Sequence, residues 1–418
     1  MFLQRVTLEN VRSIEHLDLP VTTTSGDSRV WTFLLGENGT GKTTLLRSIA
    51  LVLAGSEALP ELLGNPRDWV RFGAKQARIH ADLVTADGEP RQVDLVIGVD
   101  DSIKQVYERN DELLEQLDSA FRHSARSYFT VGYGVSRRPA EEESMIVKGT
   151  SLFRDPRARS VATLFSPHAT LAALETWAMD LDYRHEAGFR LAADALNTLL
   201  PGITLQRIDR ERRELIFDTP DGPTPYRLLS EGYQNVAAWT GDLLYQITNV
   251  FQDLDDPFSA RGLLLVDEID LHLHPIWQRQ LMQFVGSRFP HFQLIATTHS
   301  PLTVHQAGAG ELFFLRRADP KAPSTLHSYE GAPRDLMLQQ LLTSPAFGLS
   351  TLDSPHVEGL KDEYRELRDA GERSSKDEKR MKQLAGELED LPDWSEAIEG
   401  HAELTKLLST IEGELKGR

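Results

Sequence analysis

The chain has 418 residues, 40% of them hydrophobic and 26% charged, with a formal charge of −18 and no cysteine. These values suit a globular chain of two or three folding units and exclude disulfides, cysteine-ligated zinc and a thiol nucleophile. The acidic balance excludes a surface that coats nucleic acid throughout, so any nucleic-acid contact needs a local basic patch.

The opening segment MFLQRVTLENVRS alternates as a strand does and is not an apolar leader. RVWTFLLGENGTGKTTLLRSIALVLAG reads as an apolar strand, a glycine-rich turn and a helix ending near Gly55. ARIHADLVTADGEPRQVDLVIGVD is two alternating runs around Asp-Gly, a hairpin signal. ARSYFTVGYGVSRRP holds a short strand ending in Gly-x-Gly. From about Ala169 to Leu200 the period becomes helical, with Leu171, Leu174, Trp177 and Leu181 on one stripe and Phe189, Ala192 and Leu196 on the next. ITLQRIDRERRELIFDTPDG returns to a hairpin, and SEGYQNVAAWTGDLLYQITNVFQDL is a long helix with Ser230 at its N-cap and Gln234 deeper in the turn.

GLLLVDEID and FQLIATTHS are continuous apolar runs, the pattern of parallel strands covered on both faces. PIWQRQLMQFVGSRF between them is a helix with Pro275 in its first turn. ELFFLRR and STLHSYEG are late strands. After about Pro355 the chain is charge-dense and helical, with short stripes of Leu360, Tyr364 and Leu367, then Met381, Leu384 and Leu388, which suit a helical hairpin. No apolar run reaches membrane-spanning length, so a cytoplasmic chain with no membrane partner is expected. The arginines Arg154, Arg157 and Arg159, and Arg207, Arg210, Arg212 and Arg213, are basic clusters, read first as solvated faces and second as nucleic-acid patches.

GENGTGKT, Gly36 to Thr43, matches the phosphate-loop pattern G-x-x-x-x-G-K-S/T, with a strand before it and a helix after. Gly36, Gly39 and Gly41 let backbone amides turn inward onto phosphate oxygens. Asn38, Thr40 and Thr44 complete the nucleotide-binding set. Lys42 is expected to reach the β- and γ-phosphates, and Thr43 to ligate magnesium. Asp267 ends an apolar strand where a carboxylate can hold that metal. Glu268, one residue on, is placed to take a proton from an attacking water. His299 ends the next buried strand, where an imidazole can donate to the γ-phosphate. The implied ligands are ATP and Mg2+, and the catalytic set is Lys42, Glu268 and His299.

GENGTGKTT, LLSEGYQ, LLLVDEID and ATTHS, in that order, resemble the ABC-type ATPase heads of the RecF/SMC-like and OLD-like branch, over about residues 1 to 318. The resemblance implies an α/β fold, a mixed sheet flanked by helices, here with a short helical insertion and a helical C-terminal appendix. It divides the chain into 1–150, the N-terminal lobe with the phosphate loop; 151–225, a helical insertion and hairpin; 226–330, the C-terminal lobe; and 331–418, a helical region suited to binding a partner. The Asn-x-Arg-Ser turn of the opening strand nominates Arg12 and Ser13 at the nucleotide. LHLHP lies at the family's D-loop, which Asp270 begins. In such heads the signature helix of one subunit caps the γ-phosphate of its partner, so Ser230, Glu231 and Gly232, with Asp270, are expected to act in trans in a head-to-head dimer or a higher oligomer. A helix N-terminus suits that task, because its free amides and positive dipole end face an anion.

The family's Q-loop glutamine is not matched. Gln76 lies ahead of a strand, and VGYGVSRRP holds no glutamine. No long coiled coil interrupts the head, and the tail has no buried strands on which a TOPRIM nuclease would place its carboxylates. The chain therefore resembles ATPase subunits of bacterial antiphage systems, the Septu type first and the PARIS type second, which work with a separate nuclease. A RecF-like repair clamp on DNA is the alternative. A nucleotide-binding scaffold with little turnover is a third reading, and Glu268 argues against it.

Overall fold

The computed structural model describes residues 2–389 apart from 24–25, 86–87, 124–125, 127, 139–152, 185–189, 191–192, 195, 198–199, 201, 252–256, 272, 320–321 and 371–373. The chain divides into two compact units, Met1–Leu341 and Leu342–Arg418.

In the first unit, β1 (Phe2–Val11) and β2 (Ile14–Pro20) form an antiparallel pair. After them come β3 (Trp31–Gly36), then β4 (Gln76–Val84) and β5 (Pro90–Gly98). The order β2-β1-β4-β5 makes a four-stranded antiparallel sheet. Its strands alternate as read, with Leu3, Val6, Leu8 and Val11 of β1 all buried. The remaining strands are β6 (Thr130–Tyr133), β7 (Thr204–Asp209), β8 (Glu214–Thr219), β9 (Gly222–Pro225), β10 (Gly262–Val266), β11 (Phe292–Thr298), β12 (Leu312–Arg316) and β13 (Thr325–Ser328).

A six-stranded sheet runs β13-β12-β3-β11-β10-β6, parallel except for β13. Every residue of β10 and β11 is buried, as their unbroken apolar runs require. The helix Lys42–Val52 packs against strands of both these sheets and is buried nearly all round. That explains why LLRSIALVL is apolar on every face. One buried side chain ties the sheets directly. Gln293 of β11 accepts from the Leu3 amide and donates to the Leu3 carbonyl, each at 2.7 Å, supplying the hydrogen bonds of the missing strand partner.

The hairpin β7-β8 extends into a three-stranded sheet with β9. Helices Ile103–Arg109 and Asp111–His123 follow β5 and add to the elements read from the sequence. In the helical insertion, Leu174–Arg184 is a helix that buries Leu174 and Trp177, whereas Phe189 and Ala192 lie outside the described residues.

The reading of Arg157 as part of a basic surface cluster is corrected. Its guanidinium lies over the Phe121 ring at 3.3 Å and donates to the Tyr128 carbonyl, and burial pushes its pKa down to about 10. It is a partly buried cation stacked on a helix side chain. Arg210 pairs with Asp182 at 2.7 Å, and Arg213 takes a left-handed turn conformation.

In the second unit, helices Pro355–Asp369 and Ser375–Glu389 form a hairpin in which Arg380 donates twice to Glu363, at 2.8 and 2.7 Å. Among its described residues there is no strand.

Candidate nucleotide site

The phosphate loop leaves β3 at Gly36 and enters the helix at Lys42. Gly41 is the N-cap, with φ 103, and no side chain caps the helix, so its first amides face outward. A Cβ at Gly41 would meet Ile14 at 3.1 Å and Ser13 Oγ at 3.4 Å, which shows how closely the Asn10–Ser13 turn approaches the helix start. A Cβ at Gly36 would lie 2.7 Å from the Leu315 carbonyl of β12. Thr40 Oγ1 donates to the Glu37 carbonyl at 2.8 Å and closes the loop, with Asn38 and Gly39 exposed at its tip. Thr44 is buried beneath it.

Lys42 Nζ donates to the Gly36 and Glu37 carbonyls at 2.7 and 3.0 Å. Burial lowers its pKa, while Asp267 and then Glu268 act to raise it. Both acceptors are main-chain oxygens, so the ammonium keeps its full charge for an incoming anion.

Thr43 Oγ1 donates to Asp267 Oδ2 at 2.7 Å, across a separation of 224 residues. Thr297 Oγ1 of β11 donates to Asp267 Oδ1 at 2.6 Å and accepts from the Glu268 amide at 2.7 Å. Glu268 has φ 46, a left-handed conformation for a residue with a Cβ. The Asp267 and Glu268 carbonyls both accept from Arg137, which is buried, and the Glu268 carbonyl also accepts from the Leu271 amide at 3.0 Å. Thr297 and Arg137 were not foreseen. Thr297 stands in the quoted ATTHS run, but nothing local marks its hydroxyl as the bridge between the two carboxylate residues.

His299 is exposed at the end of β11. Packing around the ring lowers its pKa, Lys42 lowers it further, and Glu268, Asp270 and Asp267 act in the opposite direction. The strand edge therefore gathers Lys42, Thr43, Asp267, Glu268, Asp270 and His299 in one charged cluster. Asp270 Oδ1 is buried and has no hydrogen-bond partner among the described residues. Beyond His299, Ser300 Oγ donates to Gln278 Oε1 at 2.6 Å, and Gln278 Nε2 donates to the Leu273 carbonyl at 3.0 Å, linking this strand end to the segment Leu271–Pro275. His272 of that segment lies outside the described residues.

Arg12 and Ser13 part company. Ser13 faces Gly41, whereas the Arg12 guanidinium lies 4.5 Å from the Trp69 ring centroid and donates to the Asp68 carbonyl at 3.1 Å. Gln76 is the exposed first residue of β4.

Ser230, Glu231 and Gly232 begin the 20-residue helix Glu231–Val250. Ser230 occupies the N-cap position, but its side chain makes no capping bond, which corrects the expected hydroxyl cap. Gln234 holds the turn instead, with Nε2 donating to the Arg227 and Leu229 carbonyls at 3.1 and 2.7 Å. Among the described residues no hydrogen bond ties Ser230, Glu231 or Gly232 to the phosphate loop. Tyr233 packs on Trp277 with ring centroids 4.6 Å apart, joining this helix to the helix Pro275–Arg288.

Residues 32–305 match the family described as "AAA domain, putative AbiEii toxin, Type IV TA system". Septu protein PtuA of Bacillus mycoides is 26% identical over 364 residues, 87% of this chain and 47% of that protein. Septu protein PtuA of Bacillus thuringiensis is 28% identical over 44% of this chain and 48% of that protein. Retron Ec83 probable ATPase of Escherichia coli is 32% identical over 31% of this chain and 24% of that protein. The chain thus spans about half the length, or less, of these curated relatives. Among solved structures, an SMC head bound to the C-terminal winged-helix domain of ScpA aligns with a TM-score of 0.48 and 15% identity, over 79% of this chain and 98% of that one. The family match takes in the phosphate loop, Asp267, Glu268 and His299 together, and the chain belongs to this AAA-domain family.

Proposed function

We propose that the chain binds MgATP and hydrolyses it, that two copies close head to head around two nucleotides, and that this ATPase serves an antiphage defence system by controlling a separate nuclease. The observation that carries the hydrolysis reading is the run of hydrogen bonds from Thr43 through Asp267 and Thr297 to the Glu268 amide. It joins a phosphate loop to a carboxylate pair at the edge of a parallel sheet, where nucleotide chemistry is done in such folds.

The residues fit the nucleotide and its metal. An uncapped helix start at Gly41, a buried ammonium donating to main-chain carbonyls and a hydroxyl–carboxylate pair form the expected donor set. Thr43 and Asp267 would hold magnesium, which when bound neutralises charge on the transferred phosphoryl group. Lys42 binds the β- and γ-phosphate oxygens. Glu268 takes a proton from a water molecule as the water oxygen bonds to the γ-phosphorus and the bond to the ADP oxygen breaks, leaving ADP and inorganic phosphate. His299 donates to a γ-phosphate oxygen.

Three features support closure by a second copy. The Ser230 hydroxyl is exposed and uncommitted to a cap, and its helix start is not bonded to its own phosphate loop. Asp270 keeps a buried carboxylate oxygen without a donor among the described residues. The defence role is supported by similarity to the Septu and retron proteins.

The test is phosphate release by the purified chain, together with sizing of Glu268→Gln. Release that depends on Glu268, and an ATP-dependent shift of Glu268→Gln to a dimer, support the reading. Turnover untouched by Glu268→Gln sinks the assignment of the base, and a variant that stays monomeric with ATP bound sinks the sandwich.

A further inference from the structure

The loop after β6 runs beside the carboxylate pair and takes no part in the scheme above. β6 pairs in parallel with β10, with Tyr133 opposite Val266, and the Asp267 amide donates to the Tyr133 carbonyl at 2.8 Å. The chain then turns at Gly134, where a Cβ would stand 2.0 Å from the Thr163 carbonyl oxygen, so the turn admits only glycine. The Gly134 amide donates to Thr163 Oγ1 at 3.1 Å. Three residues on, the Arg137 side chain folds back under β10. It is 7% exposed. Its Nε donates to the Gly134 carbonyl at 2.9 Å, and its Nη2 donates to the Asp267 and Glu268 carbonyls.

A buried arginine ordinarily meets a carboxylate. This one meets three main-chain oxygens, and two of them flank the left-handed residue that carries the proposed base. The Thr297 hydroxyl holds the Glu268 amide from the opposite side. Glu268 is therefore fixed through its backbone from both sides, while its side chain is left for chemistry. Burial lowers the Arg137 pKa to about 10, so the guanidinium is charged at neutral pH, with Asp267, Asp270 and Glu268 as nearby anions. Lysine cannot reproduce the contact, since a single ammonium cannot hold the Gly134 carbonyl and both carboxylate-turn carbonyls in one planar fork.

We propose that Arg137 is a positioning residue: by donating to the Asp267 and Glu268 carbonyls it holds the left-handed turn that aims the Glu268 carboxylate. It acts through Glu268 and not on the nucleotide, and the proposal rests on the hydrolysis reading above.

The test compares Arg137→Ala and Arg137→Lys in the full chain. kcat for ATP should fall about tenfold to a hundredfold, a part of what a positioned base contributes. Binding of ADP should stay within about twofold, since the hydrogen bonds of Arg137 go to the Gly134, Asp267 and Glu268 carbonyls and not to the phosphate loop. In the Glu268→Gln background the same Arg137→Ala change should have no further effect on the residual rate, because the group it aims is gone. Millimolar guanidinium should restore part of the rate to Arg137→Ala and none to wild type. Independently of turnover, hydrogen exchange in nucleotide-free protein should quicken over residues 267–270 in Arg137→Ala and less in Arg137→Lys, with both variants folded by circular dichroism. Unchanged exchange there, or an equal loss of rate with and without Glu268, overturns the proposal. Quickened exchange in a chain that does not hydrolyse ATP leaves the positioning contact standing and removes the hydrolysis reading instead.

Discussion

Thr297→Val is the substitution that most sharply separates a working carboxylate pair from two acidic residues in a turn. Thr297 is fully buried, and its one hydroxyl makes two bonds, donating to Asp267 Oδ1 at 2.6 Å and accepting from the Glu268 amide at 2.7 Å. Valine keeps the volume and the β-branch but not the oxygen. The Glu268 amide then loses its acceptor, a cost of about 1–3 kcal/mol for a buried donor, and Asp267 loses a hydrogen bond to a charged group, about 1.5–3 kcal/mol. Asp267 keeps Thr43 and the Glu268 amide is only part-buried, so a combined loss of about 2–5 kcal/mol is expected. Urea unfolding of Thr297→Val should register that loss, and steady-state phosphate release should fall at least about tenfold as the Glu268 turn loosens. Thr297→Ser, which keeps the oxygen, should restore most of both. A Thr297→Val protein with the wild-type unfolding midpoint and the wild-type rate would refute the bridge.

Glu268→Gln should bind ATP as wild type does and lose about a hundredfold to ten-thousandfold in kcat, read by single-turnover hydrolysis; a tenfold loss or less points to another base. Gln293→Leu should strip both bonds from the buried Leu3 backbone and lower stability by about 2–6 kcal/mol by urea unfolding, and a neutral result would mean that the sheets do not depend on this link. Asp242, buried in the helix Glu231–Val250, has its pKa raised by desolvation against bonds from the Ala172 amide and the Tyr133 hydroxyl. A carboxyl whose folded pKa is raised is ionised more readily in the unfolded chain. Its contribution is therefore fully present below about pH 4 and is lost as pH climbs towards the folded value. The stability of Asp242→Asn relative to wild type should thus rise as pH increases from about 4, and a flat difference would show that Asp242 titrates normally.

The parts of the site that were legible in the sequence are those whose signal is local. Gly36 to Thr43 declares itself because loop, lysine and threonine adjoin an apolar strand and an apolar helix. Asp267, Glu268 and His299 could be found because each follows a buried strand, and parallel strands place their C-terminal ends on one edge. Ser102 and Gln105 form a capping box at the start of the helix Ile103–Arg109, a local signal that the sequence does carry. The strand order is a different matter. β3 lies between β11 and β12, strands some 260 and 280 residues later in the chain, and no window on the sequence contains both.

Arg137, Thr297 and Gln293 escaped for the same reason. Each satisfies backbone or carboxylate groups that fold to it from far along the chain, 130 residues away for Arg137 and Asp267 and 290 for Gln293 and Leu3. A side chain whose partner is main chain leaves no complementary residue to search for. Arg157 misled in the opposite direction, because a row of arginines reads as surface until one of them is seen stacked on Phe121.

The central claim, that a nucleotide held by one copy is completed by the helix start of another, is tested most directly by mixing two disabled chains. Lys42→Ala lacks a working phosphate loop but keeps Ser230, and Ser230→Arg blocks the helix start but keeps Lys42. Each alone should be inactive, and Ser230→Arg should still bind ATP. A one-to-one mixture should recover about a quarter of wild-type phosphate release, since half of randomly formed dimers are mixed and each holds one intact site. Wild-type turnover by Ser230→Arg alone, or no recovery in the mixture at any ratio, would contradict the account.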